Sequence, residues 1–283
     1  MNGQFFKLYN NYLSQYWHRE RDIMSENYID TGTSQLLAEI REGVPILTSN
    51  RPESRNTLGD TITPAIRSLI EKCDANPDVR AFLITGSGNA FCAGGDIKAL
   101  GQPRLEPRPS RNEAIATLAQ RQRTLTGALV ASRKPSVAAL PGPAIGADLS
   151  LALACDIRIA ARSAFVRTAY AKIGLTGDYG IAWLLTRIVG PAKARELMLL
   201  SRNVGATECA RIGLVNQTVE DEKIFDAALN IALELANSPQ QALGQIKDNL
   251  DDALSLSLVE AERMVDRSGS SESLTAIRSL HRR

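Results

Sequence analysis

Two glycine-rich segments, each following a short apolar run, are the parts of this 283-residue sequence best suited to chemistry. The run at 81–85 leads into a first loop, residues 86–95, and the run at 137–140 leads into a second loop, residues 141–147. If a helix follows each loop, its first turn leaves backbone N–H groups unpaired at positive potential. Such groups bind anions and stabilise oxyanions. Glycines also serve ordinary tight turns, so it is the presence of both loops in one chain that predicts an oxyanion site.

Composition limits which side chains can share this chemistry. The only two histidines, His18 and His281, lie near the chain ends, which argues against a Ser-His-Asp triad, a Cys-His dyad or a histidine-ligated zinc site. The four cysteines are too few for a disulfide framework and have no metal-ligand spacing, so we expect no metal and a reducing, cytoplasmic setting. Carboxylates, hydroxyls, phenols and backbone dipoles remain as the reactive groups.

Charge and hydropathy also exclude some partners. The net charge of +2 is spread along the chain without a basic stripe, so nucleic acid is not an expected partner. The longest weakly polar stretch, 137–155, contains two prolines and an aspartate, so we expect no membrane span. The first residues lack the continuous apolar segment of a signal peptide.

Periodicity predicts an α/β protein. Apolar runs predict strands at 36–40, 44–49, 81–85, 136–140 and 156–160. They also predict helices at 60–73 and 112–132, and a third helix that follows the turn at 141–143 and ends at residue 154. Beyond residue 179 nearly everything is predicted to be helical, namely 179–189, 191–200, 207–212, 223–237 and 239–251. Strands feeding helices, followed by a helical tail, indicate an α/β core with a C-terminal helical region.

We divide the chain into three expected parts. Seven of the fourteen aromatic residues fall in the first 28 positions, which predicts that residues 1–34 form an aromatic arm with a docking helix. Residues 35–200 would form the core, and residues 201–283 the C-terminal helical region. A proline-rich surface loop is expected at 101–110.

Four motifs resemble the enoyl-CoA hydratase/isomerase (crotonase) superfamily in order and spacing, over roughly residues 35–283. They are Asn-Arg-Pro-Glu-Ser-Arg-Asn at 50–56, Phe-Cys-Ala-Gly-Gly-Asp at 91–96, the run 142–147 leading to Leu-Ala-Leu-Ala-Cys-Asp at 151–156, and Arg-Ile-Gly-Leu-Val-Asn at 211–216. The resemblance implies a spiral of β-β-α turns with a C-terminal helical trimerisation region. It also implies a homotrimer or hexamer and an acyl-CoA thioester substrate. CoA would then be part of the substrate, with no separate cofactor.

The resemblance also implies roles for particular residues. The thioester carbonyl oxygen would lie between the backbone N–H groups of Ala93 and Ala147, and Arg55 would lie near the CoA moiety. A fixed N–H dipole of this kind is typically worth about 3–4 kcal/mol. Ala147 stands where most members have glycine, and it keeps the N–H while adding a methyl group. The residues expected to line the thioester are Ala93, Gly94, Gly95 and Asp96.

The acid/base positions depart from the hydratase pattern. Hydratases of this family hold water between two glutamates, and the matching positions here carry Ser150 and Tyr170. A hydroxyl and a phenol with a usual pKa near 10 make a poor base pair at neutral pH. Efficient hydration by the usual route is therefore not expected. Tyr170 could instead be a wall of the acyl pocket or a hydrogen-bonding partner.

Asp178 is the nearby carboxylate that could replace the missing glutamates. Some isomerases and aryl-CoA dehalogenases of the superfamily use an aspartate at this position, as proton shuttle or as nucleophile. The alternative is that Asp178 caps a helix beginning near Tyr179. We favour a catalytic role for Asp178.

Asp148 is unexpected, because it follows the second predicted oxyanion donor where relatives usually have glycine. Its charge suits a helix N-terminus, yet a carboxylate facing a developing enolate would oppose the transition state. Either its side chain turns away, or it is an acid/base that replaces a glutamate, or the enzyme is impaired.

Three functions are compatible with the sequence. The first is an acyl-CoA enzyme that stabilises a thioester enolate and isomerises, or weakly hydrates, an enoyl-CoA, with Asp178 moving a proton. The second is an acyl-CoA hydrolase or dehalogenase with Asp178 as nucleophile. The third is a non-catalytic CoA-ligand-binding or RNA-associated scaffold, and the missing basic patch counts against RNA.

Overall fold

The computed structural model describes residues 27–92, 94 and 110–257. Three predicted parts lie wholly or partly outside these residues. They are residues 1–26 of the aromatic arm, residues 101–109 of the proline-rich loop and residues 258–283 of the C-terminal helical region. Among the described residues, no helix is long and apolar enough to cross a bilayer.

Two sheets carry the described strands. The larger has the order β1-β2-β3-β4-β6-β9 and the smaller the order β5-β7-β8. In the larger sheet, β1 and β2 are antiparallel to each other, and the other neighbouring pairs are parallel. The central β3 and β4 are buried along their whole length, as is usual for the strands of parallel sheets, and this is why they read as continuous apolar runs. The strands are β1 (Leu36–Arg41), β2 (Val44–Ser49), β3 (Phe82–Gly86), β4 (Ser136–Leu140), β5 (Ala144–Ile145), β6 (Ile157–Ala161), β7 (Phe165–Arg167), β8 (Val204–Gly205) and β9 (Gln217–Val219).

The helices pack their apolar stripes on this framework. Helix α7 lies against β4 and buries Ala228, Ala232 and Ala236. These residues recur every fourth position on one face, and their small side chains allow close approach to the sheet. The helices are α1 (Ile62–Ala75), α2 (Arg111–Arg123), α3 (Thr126–Ala131), α4 (Ala147–Ala154), α5 (Ile181–Leu200), α6 (Ala206–Arg211), α7 (Ile224–Asn237) and α8 (Gln240–Ala253).

The chain repeats one path through the two sheets. Each of the long strands β3, β4 and β6 is followed by a short extended piece beside the smaller sheet: Cys92 in a bridge to Ala144, then β5, then β7. A helix then follows before the next strand or turn. This path confirms the predicted spiral of β-β-α turns, and helices α7 and α8 confirm a helical C-terminal part.

Several predicted boundaries were wrong. The helix expected at 112–132 is two helices, because the chain leaves helical geometry at Leu125. Helix α2 buries no residue, whereas α3 buries Thr126 and Leu129, so the break lets α3 turn toward the core. The expected break between helices at 179–189 and 191–200 is confirmed, because Gly190 has a non-helical φ of 76° just before Pro191 and divides α5 into two helical parts, although the first part begins at Ile181 rather than at 179.

The helices expected beyond residue 179 are present, but two short strands between them were missed. Strands β8 and β9 lie in that region, and β5 and β7 were missed earlier in the chain. Each has two or three residues, which is too short for an alternating pattern to be recognised. They form through pairing with distant strands, as β9 does with β6.

Candidate active site

The two glycine-rich loops lie side by side where β3 and β4 end. Cys92 forms a parallel bridge with Ala144. The N–H groups of Phe91 and Cys92 both donate to the Pro143 carbonyl at 3.1 Å, and the Ile145 N–H donates to the Cys92 carbonyl at 3.0 Å. The loops therefore share one hydrogen-bonded seam, which fixes the spacing of the backbone groups beyond it.

Two glycines make this approach possible. A Cβ atom at Gly142 would lie 1.9 Å from the Asn89 carbonyl oxygen, and one at Gly86 would lie 2.3 Å from the Ala90 and Phe91 oxygens. Any side chain at either position would force the backbones apart. These glycines therefore serve the contact between the loops.

Asn56 joins a third segment to the loops, and sequence analysis gave it no role. Its fully buried side chain accepts from the Arg51 N–H at 2.8 Å and donates to the carbonyls of Ser87 and Ala90 at 2.9 and 2.8 Å. Its backbone carbonyl also accepts a hydrogen bond from the Cys92 thiol. An amide offers both donors and acceptors, which suits this bridging position in the 50–56 motif.

The N–H of Ala147 is available at the start of α4. The preceding Gly146 has φ 62° and ψ −128°, and its own N–H donates to the Arg167 carbonyl at 3.0 Å. Ala147 is the first helical residue, and no described residue accepts a hydrogen bond from its N–H. This arrangement meets the geometric requirement for one oxyanion donor.

Ser150, Tyr170 and Asp178 meet as one cluster. Helix α4 carries Ser150, which is buried, and a 3-10 turn (Tyr170–Ile173) carries the tyrosine. The Tyr170 hydroxyl donates to Asp178 Oδ1 at 2.5 Å, and Ser150 Oγ makes a long hydrogen bond of 3.4 Å to the Asp178 carbonyl. The three predicted acid/base residues, drawn from two loops and a helix, thus lie together.

Asp178 does not cap the following helix. Helix α5 begins at Ile181 with Gly180 as N-cap, and no side chain accepts a hydrogen bond there. The carboxylate of Asp178 turns toward Tyr170 instead. The capping alternative therefore has no support in the geometry.

The electrostatics of the pair suit proton transfer. Burial raises the pKa of Asp178 above its usual value, and the Tyr170 hydrogen bond offsets part of that rise. Burial, together with the adjacent Asp178 charge, raises the pKa of Tyr170 well above its usual value. Tyr170 therefore stays a neutral donor, while Asp178 is a stronger base than an exposed aspartate.

For several predicted site residues, the described structure shows no contact that bears on the predicted role. Ala93, Gly95 and Asp96 lie outside the described residues. Gly94 is described, with a φ of 101°. Arg55 is exposed just after a 3-10 turn (Pro52–Ser54), and its place near CoA stays a prediction. The described part of the chain contains no group of three or more His, Cys, Asp or Glu residues arranged to hold a metal ion.

Two of the cysteines can be excluded as nucleophiles. Cys92 and Cys155 are both buried in the hydrophobic core. Burial raises the pKa of Cys155 to about 12 and that of Cys92 well above its usual value. Neither thiol is therefore ionised near neutral pH, and neither is a candidate nucleophile.

The spiral fold and the paired backbone loops define a class of α/β proteins, and comparison with known proteins gives its family. The chain belongs to the enoyl-CoA hydratase/isomerase family, whose model matches residues 39–274. It is 35% identical over 218 residues to the 1,2-epoxyphenylacetyl-CoA isomerase of Escherichia coli, covering 77% of this chain and 82% of that protein.

Solved structures agree with this assignment. The crystal structure of an enoyl-CoA hydratase from Polaromonas sp. JS666 has a TM-score of 0.74 and 32% identity, covering 87% of this chain and 96% of the other. A Thermobifida fusca protein solved in complex with CoA has a TM-score of 0.78 and 27% identity, covering 88% and 95%.

Proposed function

We propose that the protein acts on acyl-CoA thioesters by stabilising an enolate with the backbone N–H of Ala147, and that Asp178 moves a proton between two carbons. The leading reaction is double-bond isomerisation of an enoyl-CoA, with weak hydration as the other outcome of the same site. The observation that carries the proposal is the Tyr170 hydrogen bond to Asp178, which aims a half-buried carboxylate away from the helix terminus it could have capped.

The proposed reaction balances within the site. Ionised Asp178 takes a proton from a carbon of the acyl chain, and the electron pair moves to the thioester oxygen. The Ala147 N–H stabilises the resulting oxyanion, together with Ala93 if the family pattern holds. Asp178 then returns the proton to a different carbon, so that the double bond shifts and the carboxylate is restored.

The relatives support the substrate class. The Escherichia coli relative is named for an isomerisation of a CoA thioester, and the Thermobifida fusca structure contains CoA. Neither decides between isomerisation and hydration for this chain. Assembly as a homotrimer or hexamer, the three-part division of the chain and a cytoplasmic location stay predictions.

The direct test is a panel of CoA thioesters assayed by mass spectrometry in D2O. Isomerisation gives a product of the substrate's mass plus any exchanged deuterium, hydration adds one water, and hydrolysis releases free CoA. The same assay in H2¹⁸O separates the nucleophilic alternative, because water that opens an Asp178 ester or anhydride at the aspartyl carbonyl leaves ¹⁸O in the peptide that contains Asp178. A protein that binds CoA esters and changes none of them would favour the scaffold reading.

Hydration of crotonyl-CoA should be slow. Ser150 and Tyr170 supply no pair of carboxylates to activate water, and Tyr170 is committed to Asp178. Since typical enzymes turn over at about 10 per second, we expect a rate well below that for the hydration. Hydration can be measured from the decrease in enoyl absorbance. A turnover number in the hundreds per second would reject this prediction.

Changing Tyr170 to phenylalanine should move the pH profile. The Tyr170 hydrogen bond lowers the pKa of Asp178, so its removal raises that pKa further. Because Asp178 must be ionised to accept a proton, the acid limb of kcat/KM should shift to higher pH. Tyr179→Phe is the matched control, since it removes a neighbouring phenol with no hydrogen bond to Asp178 among the described contacts. An unmoved acid limb in Tyr170→Phe would contradict the pairing.

A further inference from the structure

Asp148 is a buried carboxyl that the proposed reaction does not use. It lies in the first turn of α4, directly after Ala147, and it has no exposed surface. Neither of its carboxyl oxygens has a hydrogen-bond partner in the described part of the chain. A buried polar group without a partner is costly to the fold, so its presence here indicates a role other than stabilising the fold.

The surroundings of Asp148 place its carboxyl between the two loops. The Cys92 thiol and the Gly94 N–H face it from the first loop, although neither reaches hydrogen-bond geometry. The thiol is already committed to the Asn56 carbonyl. From the segment before α5, the carboxylate of Asp178 and the phenol of Tyr179 act on it at longer range.

These effects together make Asp148 harder to ionise than Asp178. The helix N-terminus favours a charged carboxylate, but burial outweighs it and raises the pKa of Asp148 to about 7, and the Asp178 charge adds to the rise. Asp178 is half-buried and receives the Tyr170 hydrogen bond. When one carboxyl of the two is ionised, it is therefore Asp178, and Asp148 is the acid.

We propose that Asp148 is a positioning residue of the oxyanion site, whose neutral carboxyl fills the space between the first loop and α4 and whose ionisation disables the site. The inference rests on the proposed function, because it concerns the stability of an enolate beside Ala147. A negative charge one residue from the donor would repel the developing oxyanion and weaken the field of the N–H dipole.

The proposal predicts a loss of activity at alkaline pH. The site works while Asp148 is protonated, so kcat/KM should fall as pH rises through the pKa of Asp148, by about tenfold for each further pH unit. Asp148→Asn keeps the shape and removes the ionisation, so its profile should stay level from pH 7 to pH 9. Asp60→Asn, the same change at an exposed carboxylate, is the control and should keep the wild-type limb.

A second measurement does not depend on turnover. Because the folded-state pKa of Asp148, about 7, lies above its usual 3.8, the folded state holds a proton that the unfolded state loses. Stability contributed by the neutral carboxyl is fully present below about pH 4 and is lost as pH rises to about 7. The denaturation midpoint of wild type relative to Asp148→Asn should therefore fall across that window and then level off.

The outcomes separate the two proposals. A wild-type protein that converts no thioester at any pH would reject the proposed function and, with it, the role of Asp148. An active protein whose alkaline limb survives in Asp148→Asn would reject the role of Asp148 alone, as would a pH-independent difference in denaturation midpoint. If Asp148→Asn fails to fold, Asp148→Ala, which also removes the ionisable group, takes its place in both measurements.

Discussion

Asp178→Asn should abolish turnover while leaving the affinity for CoA esters within a few fold of wild type. The substitution keeps the size of the side chain and an oxygen that can accept the Tyr170 hydrogen bond, but it removes the ionisable group. Loss of a general acid/base costs roughly 10²–10⁴ in rate. Single-turnover assay on the identified substrate, with binding of a CoA ester measured by calorimetry, checks both parts of this expectation.

The structure offers a matched control for Asp178→Asn. Asp226 is an exposed aspartate in the first turn of α7, so Asp226→Asn removes a charge near a helix N-terminus without touching the cluster. It should leave turnover unchanged. Unchanged turnover in Asp178→Asn, with a lowered melting temperature, would instead show that Asp178 acts on the stability of the fold.

The two loops of the candidate site could be predicted from sequence because the chemistry proposed for them uses backbone groups. Glycine-rich turns after apolar runs have a local signature, and the described parts of both loops lie where β3 and β4 end. The close contacts at Gly86 and Gly142 explain why glycine is present at those positions. Local rules therefore predicted both loops and the start of α4.

Contacts between distant residues were beyond the reach of the same rules. Asn56 bonds to residues 31 and 34 positions away, and its role depends on how the loops fold back. The orientation of Asp178 was left open because capping and catalysis both suit a position just before a helix. Only the placement of Tyr170, eight residues earlier, separates the two.

The short strands and the burial of Asp148 could not be predicted from sequence either. A strand such as β5, with two residues, exists because β7 pairs with it, so no local pattern can reveal it. A charge at position 148 suits a helix N-terminus but would oppose an enolate, and the sequence could not decide between these effects because the burial of Asp148 depends on residues distant in sequence, such as Cys92 and Gly94. The free energy of burying a charge depends on tertiary structure, and sequence spacing carries no measure of it.

Ala147→Pro should lower activity toward any substrate by about 10²–10³-fold, because it deletes the N–H that we propose as an oxyanion donor. The structure makes this a chemical deletion with little expected cost to the fold. Ala147 is the first residue of α4, where a proline is well tolerated because its N–H has no partner within the helix.

The residue before the proline is also compatible. A residue that precedes proline prefers extended geometry, and Gly146, with φ 62° and ψ −128°, adopts the mirror image of an extended conformation, which is equally accessible to glycine. The N–H of Gly146, which bonds to the Arg167 carbonyl, is retained. Circular dichroism and thermal unfolding of the variant should therefore match those of the wild type closely.

Arg111→Pro provides the matched control for the backbone change. Arg111 is the exposed first residue of α2, and Ser110 before it has φ −56° and ψ 158°, so the same substitution fits there and lies outside the loops. It should leave turnover intact while Ala147→Pro loses it, whichever carboxylate moves the proton. A folded Ala147→Pro protein with wild-type turnover on its identified substrate would show that the oxyanion site has been misplaced, and the alignment of the family motif through Gly146 would have to be abandoned.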